Sequence, residues 1–473
     1  MKIASISFTD DAETAYLYVY NDKAFEEEIL RIMVFNRDYM AYSEMASDKI
    51  PPRGFTVIKI KSKDMSSFIG HFTSFRVEGD REVDEVGLRI FPTYFPIGSY
   101  GGAEILSDKH NTMEALELGF DTVVAPVKDV EEAKKHGLRV IAYTPYKENK
   151  LDVDLFEKYV EDKGVLAWYI IDEPDIWVER GKVSEQWVIR QIREVYRRDK
   201  LHPTYIVLCR PFIFEKYARY PDVLAVDPYP ICVLPLSHVF FMVDRAIETT
   251  APKPVWLIPQ AFRHGMPKPN GSWGWKRFPR PDEERLMVYM GISHGAKGVI
   301  YFTYGSHMFN ANDPVEGLVS RHPDAVQLKR GIARLSGELH TLGELLRYGY
   351  RVTGPCLRHS YSSNGAVEIN EIFVRDDTLI VLLVNHDYVS TVDGFSINEK
   401  NDVDVSIVVP EWFSFEDSFI VDYDGLSDIK VVGEGNRVSF KVDSIREAKA
   451  IVLTGDGKLF RKMNDKYKVW RRI

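Results

Sequence analysis

Two adjacent carboxylates end an apolar run, Trp168-Tyr169-Ile170-Ile171-Asp172-Glu173-Pro174-Asp175. Two carboxyl groups held close together repel when both are ionised, so one of them keeps its proton to higher pH. A carboxyl that retains its proton near neutrality can protonate a departing glycosidic oxygen, which suits the pair to hydrolysis of a sugar bond. Neighbouring side chains on a strand point to opposite faces. They can share a mouth only where the strand ends and the backbone turns, and Pro174, which has no N–H for a ladder, marks such an end. The blander alternative is that both carboxylates cap the next helix or bind structural arginines; their place at a strand end among aromatic residues favours the chemical one.

The elements that must position this pair are strands alternating with helices. Between positions 88 and 348, strand-like runs fall at Leu88 to Phe95, Thr122 to Pro126, Arg139 to Tyr143, Leu166 to Ile171, Thr204 to Leu208, Val223 to Val226, Val255 to Ile258 and Gly298 to Phe302. Amphipathic segments lie between them: Val130 to Lys135 closed by Gly137, Ser184 to Arg198 with Ser184 as N-cap, and Pro281 to Gly295. Eight such units over this length predict an α/β fold built on a (β/α)8 TIM barrel. A doubly wound open sheet is the runner-up, but no G-x-G-x-x-G follows the first strand.

Both flanks read as β structure. Positions 1–87 hold short alternating runs such as Ala15 to Tyr20 and Phe55 to Ile60, with one helix expected near Ala24 to Val34. Positions 349–473 return to alternation, with Asn370 to Val374 and Thr378 to Val384 around a short loop at Arg375-Asp376-Asp377, then Val403 to Val409 and Ala448 to Leu453. The expectation is an N-terminal β-rich domain (1–87), the barrel (88–348) and a C-terminal β-sandwich (349–473).

Functional groups of such barrels gather where the strands end. The predicted ends supply Tyr94, Tyr143, Asp172 and Glu173, Arg210, Asp227 and Tyr229, Gln260, and Tyr304. Carboxylates, phenols and amides bond sugar hydroxyls, and aromatic faces cover sugar C–H surfaces, so this lining suits a polyhydroxylated ligand. Trp273 and Trp275, among glycines in the loop after strand seven, are candidates to stack on sugar rings, or else to fold back and seal that loop. Asp227 is either the second carboxylate of a two-carboxylate glycosidase or a turn residue of its Pro-rich loop. Arg210 and Arg263 either contact an acidic group on the substrate or, the favoured reading, neutralise Asp172. Trp168 reads as core, Trp177 as rim, His294 as a helix-terminal residue, and Cys209 and Cys232 as buried thiols.

The barrel resembles retaining glycoside hydrolases whose fourth strand ends in an acid/base Glu. Their largest clan has Asn before that Glu and a nucleophilic Glu after strand seven, where this chain has Asp172 and Gln260. In its Asp-Glu-Pro run the chain is similar to the substrate-assisted β-N-acetylhexosaminidases. One of their families, the β-N-acetylgalactosaminidases, carries that tripeptide after an apolar strand and a β-sandwich beside the barrel. The resemblance implies Glu173 as general acid/base and Asp172 as the partner that orients and charge-stabilises a substrate 2-acetamido nucleophile. Tyr229 or Tyr304 would then donate to the acetamido oxygen. No protein nucleophile is needed, which accounts for Gln260. The alternatives are a two-carboxylate enzyme using Glu173 and Asp227 on a neutral or acidic sugar, and a carbohydrate-binding protein on an inactive barrel.

Composition bounds these readings. The 473 residues carry 61 Lys and Arg against 70 Asp and Glu, a net charge of −9 that argues against a general nucleic-acid partner. No apolar run is long enough to span a bilayer, and Asp10 and Asp11 interrupt the N-terminal segment too early for a signal peptide, so no membrane partner and a cytoplasmic place are expected. The 3 cysteines form no C-x-x-C. Without phosphate-binding, H-E-x-x-H or G-x-S-x-G motifs, neither cofactor nor catalytic metal is expected. The partner is a carbohydrate substrate, and the accessory β regions leave a homo-oligomer open.

Overall fold

The computed structural model describes residues 1–265, 267, 274–308, 314–353, 360–391 and 394–470. At its centre eight parallel strands close into a barrel: Ile97–Tyr100, Thr122–Pro126, Arg139–Tyr143, Val165–Ile171, Thr204–Leu208, Val223–Val226, Val255–Leu257 and Val299–Tyr301. The last strand closes on the first through the register Ile97↔Val299. These strands are buried on both faces, inward on the barrel filling and outward on the helices, which is why they read as near-continuous apolar runs.

Strands two to eight lie where the apolar runs predict them, but strand one does not. Leu88 and Ile90 belong to the core of the N-terminal sheets, whose last strand is Val83–Arg89. The barrel begins only after Pro96, with Ile97-Gly98-Ser99-Tyr100. This strand is short and small-sided because it runs tight against its neighbour: a Cβ on Gly98 would lie 2.0 Å from the Thr122 carbonyl oxygen. Such a run carries too little apolar signal to compete with Leu88 to Phe95.

The N-terminal part forms two antiparallel sheets around Lys2–Phe8, Thr14–Tyr20 and Phe55–Lys61, and around Glu27–Val34, Phe72–Gly79 and Val83–Arg89. The helix expected near Ala24 to Val34 is the strand Glu27–Val34. A bulge between Ile29 and Arg31 displaces the alternation, so Ile29 and Ile32 face one core three positions apart and imitate a helical spacing. The C-terminal part holds a six-stranded antiparallel sheet, including Val367–Val374, Thr378–Asn385 and Ala448–Thr454, and a four-stranded one around Lys400–Val408 and Arg437–Ile445. The helix Leu459–Trp470 lies against the long helix Pro323–Leu346. Among the described residues no helix is long and apolar enough to cross a membrane.

Candidate active site

Strand four stops at Ile171, and Glu173 takes up φ 40°, ψ 55°, in the left-handed region, before Pro174 opens the helix Pro174–Glu179. For a non-glycine residue this conformation is strained and needs surrounding structure to hold it. Here it breaks the strand alternation and lets adjacent carboxyls serve one mouth. Asp175 supplies the hold. It is 1% exposed, and its Oδ2 accepts the backbone N–H of Cys209 (3.0 Å) and of Arg210 (2.8 Å), tying the turn to the end of strand five.

Beneath the pair, the barrel is filled by tyrosines. The Tyr169 hydroxyl donates to Asp172 Oδ1 at 2.5 Å, the Tyr100 hydroxyl donates to Tyr169 at 3.2 Å, and Tyr100 and Tyr205 hydroxyls lie 3.1 Å apart. Burial holds Tyr169 protonated far above the usual phenol range, so it remains a donor to Asp172. Tyr143 stacks on the Tyr169 ring at 5.2 Å and leaves 41% of its own surface exposed at the mouth.

Asp172 is open to solvent and Glu173 half-buried, yet both stand among protein groups that displace most of their water. Burial raises the Asp172 carboxyl, and the Tyr169 hydrogen bond opposes that rise. Glu173 is pushed up to about 7, first by burial and then by the Asp172 charge. The Cys209 thiol at the end of strand five turns to Asp175 Oδ2 at 3.7 Å. Asp227, 8% exposed, is driven well above the carboxylate range by burial and by the Glu173 charge. Asp227 Oδ1 is buried without a hydrogen-bond partner, and the Glu173 charge beside it favours a proton on Asp227. The arrangement can give a proton to a leaving group from Glu173 while Asp172 offers negative charge beside it.

The remaining wall is aromatic. Tyr229 lies against Phe302 at 5.6 Å and edge-on to Phe262 at 5.1 Å, and the Trp275 indole donates to the Tyr229 carbonyl at 2.7 Å. Trp275 thus folds back onto the wall while staying half-buried. Trp273 lies outside the described residues. Phe302, exposed His307 and Glu104 complete this side; the charge of Glu104 reaches both Tyr143 and His307. The Glu104 carboxyl lies over Gly305, where a Cβ would come within 2.7 Å of it.

Other sequence candidates lie elsewhere. Tyr94 stands at the foot of the barrel, not its mouth, under Arg139 at 4.7 Å, because strand one starts after it. Tyr304 turns outward and donates to Glu114 at 2.8 Å. Gln260 is fully buried, accepting from the Ile231 N–H (3.1 Å) and donating to the Phe262 carbonyl (3.2 Å); it shapes the loop. Arg210 pairs with Glu179, and Arg263 forks onto Glu316 at 3.0–3.1 Å, so neither makes the expected neutralising pair with Asp172. Trp168 is fully buried outside the barrel, its indole donating to Asp199 at 2.6 Å. Tyr100, Tyr169, Tyr205, Phe302, His307 and Glu104 were not singled out by their sequence positions. The signal for Tyr169 was its place three positions before Asp172; the others sit in runs that read as core or loop.

No family model matches the chain, and no curated protein does. Among solved structures, a Paenibacillus sp. cycloisomaltooligosaccharide glucanotransferase complexed with cycloisomaltoheptaose aligns over 96% of this chain and 99% of its own, with TM-score 0.52 and 8% identity. A glycoside hydrolase family 5 protein from Bacteroides vulgatus aligns over 80% and 94% (TM-score 0.48, 13% identity), and α-L-fucosidase isoenzyme 2 from Paenibacillus thiaminolyticus over 76% and 99% (TM-score 0.48, 7% identity). At such identity the likeness to the glucanotransferase is one of fold. The chain is a TIM barrel flanked by β-rich sheets, and its chemistry rests on its own residues.

Proposed function

We propose that the protein is a glycoside hydrolase acting on a small oligosaccharide or glycoconjugate that carries a 2-acetamido sugar. The observation that carries the reading is an accessible Asp172, held by Tyr169, next to a Glu173 that keeps its proton to about pH 7. Glu173 protonates the glycosidic oxygen as its bond to the anomeric carbon breaks. The substrate's acetamido oxygen closes on that carbon, and Asp172 orients the amide and stabilises the positive charge it acquires. Water then opens the ring intermediate, giving its proton to Glu173. Tyr229 and Tyr143 border the sugar. The cysteine usage supports a cytoplasmic setting, where imported fragments are the available substrates.

Asp227 is the rival second carboxylate, for a sugar without the acetamido group. Paired glycosidase carboxyls stand ~5–5.5 Å apart in retaining enzymes and ~6.5–9.5 Å in inverting ones. Burial and the Glu173 charge hold Asp227 well above the carboxylate range, and a carboxyl that keeps its proton is a poor nucleophile or base, which favours the acetamido reading.

Turnover of nitrophenyl glycosides with and without the 2-acetamido group tests this. Turnover should favour the acetamido sugars, and Glu173→Gln should lower it by about 10²–10⁴. Asp172→Asn should cost a comparable factor on those sugars. Unchanged turnover by Asp172→Asn would remove the acetamido mechanism. Sugar binding with no turnover of any glycoside would favour the inactive-barrel reading.

A further inference from the structure

We infer that a crevice at the foot of the barrel binds a small metabolite bearing a carboxylate or phosphate group, through the ammonium of Lys297. The crevice has a volume of about 670 Å³ and lies where the first N-terminal strand, the segments leading into barrel strands seven and eight, and the first C-terminal strand meet. Its size falls within the range of small-molecule sites. It opens at the end of the barrel opposite Glu173, since Lys297 precedes strand eight by two positions and catalytic groups follow the strands.

Lys297 lines this crevice and is 8% exposed. Its Nζ carries three donors, and one of them goes to Ser5 Oγ at 3.2 Å. Among the described residues no carboxylate lies within ion-pair distance of it. The other charged groups around the crevice are engaged. Asp244 accepts from Arg351 at 2.6 Å and bonds His294 at 2.8 Å, Glu248 holds Arg245 at 3.0 Å, and Asp84 accepts the Ile3 N–H at 2.8 Å. Lys253 donates to the carbonyls of Ala218 and Pro221 at 3.0 and 2.7 Å, and Lys2 is largely exposed beside Asp22. A buried ammonium without a counter-charge is costly, and burial alone lowers this one to about 8. An anionic oxygen in the crevice would accept from the Lys297 ammonium and supply its counter-charge. The requirement is for acceptor oxygens, which carboxylate and phosphate both supply. Because the crevice is walled by the N-terminal sheets, the barrel and the C-terminal sheet, an occupant would bind only the folded chain and stabilise it.

The test is thermal unfolding and calorimetric titration of the full chain with inorganic phosphate and, separately, with acetate, sodium chloride holding ionic strength constant. At least one anion should raise the unfolding temperature saturably, and Lys297→Met should weaken that binding at least about tenfold, the loss expected of a charge-assisted hydrogen bond. Response to phosphate alone assigns a phosphorylated ligand, and response to acetate alone a carboxylate. Response to neither, or equal response by the variant, overturns the proposal. In the wild type, the effective anion should slow acetylation of Lys297 by acetic anhydride, read by peptide mass spectrometry, relative to exposed Lys63. Unaltered labelling of Lys297 would overturn it without relying on a folded variant.

Discussion

Glu173 is held in a left-handed backbone, with its carboxyl near the Asp172 charge and the buried Asp227. Its proton affinity therefore has a consequence for stability as well as for chemistry. The folded chain holds this proton up to about 7, against an ordinary 4.5, so the folded state binds it more tightly. The stabilisation is fully present below the ordinary value and is lost as pH rises through 7. Glu173→Gln, which never has to release a proton, should match the wild type near pH 4. It should exceed it at pH 8 by on the order of 1–2 kcal/mol. Thermal unfolding of both proteins at the two pH values measures this, and an equal gap at each pH would mean that the group is not perturbed. At this scale the sequence exposed the carboxylates well, since polar residues interrupting an apolar run are conspicuous. It hid Tyr100, Tyr169 and Tyr205, because a tyrosine in a strand reads as core, and these are core and donors at once. It misplaced Tyr304, since position along a strand end does not reveal which side of the barrel wall a ring takes.

The turn that joins strand four to the helix Pro174–Glu179 is the element on which the site depends. Its anchor is Asp175, whose Oδ2 gathers two N–H groups from the end of strand five while its charge pushes Glu173 upward. Asp175→Asn keeps the shape and removes the charge. On the proposed reaction, the alkaline limb of the pH–rate profile, where Glu173 loses its proton, should then move to lower pH, and the acid limb, where Asp172 ionises, should move the same way, since the Asp175 charge raises both carboxyls. A profile lowered at every pH without displacement would assign Asp175 to packing alone. Legibility at the element scale follows signal strength. Long apolar strands such as Val165–Ile171 and capped helices such as Glu185–Arg198, whose Ser184 Oγ accepts the Trp187 N–H at 3.1 Å, announce themselves. The short first strand and the bulged Glu27–Val34 do not, because a close backbone approach replaces side-chain packing in one and a local slip breaks the period in the other.

Across the whole molecule, the barrel and its C-terminal sheets are locked through the helix Pro281–Ser293. Every residue from Glu283 to Ser293 is buried, because the helix is covered by the barrel on one side and by the long helix and C-terminal sheet on the other. A helix apolar on only one stripe could not be enclosed in this way; here Glu283 and Arg285 are taken inside and paired, while Glu284 is buried without a hydrogen-bond partner and burial holds its carboxyl well above the usual range. Arg285, 1% exposed, donates to Glu338 at 2.8 and 3.1 Å, to Asp422 at 2.9 Å, to Glu447 at 3.1 Å and to the Ala448 carbonyl at 3.0 Å. One guanidinium thus joins a barrel helix, the long helix Pro323–Leu346 and two strands of the C-terminal sheet. Removing one partner of a buried ionic cluster leaves the others charged and unpaired, which costs about 3–5 kcal/mol, far more than the cluster's net contribution. Arg285→Met should lower stability by that amount in denaturant unfolding. The added change Glu338→Leu should recover part of the loss, since one stranded carboxylate is removed with its partner. The mouth lies at the strand ends and shares no residue with this cluster, so turnover at 25 °C should hold in both variants. A loss under 1 kcal/mol for Arg285→Met would mean that water reaches the cluster and that apolar contact alone joins the two parts.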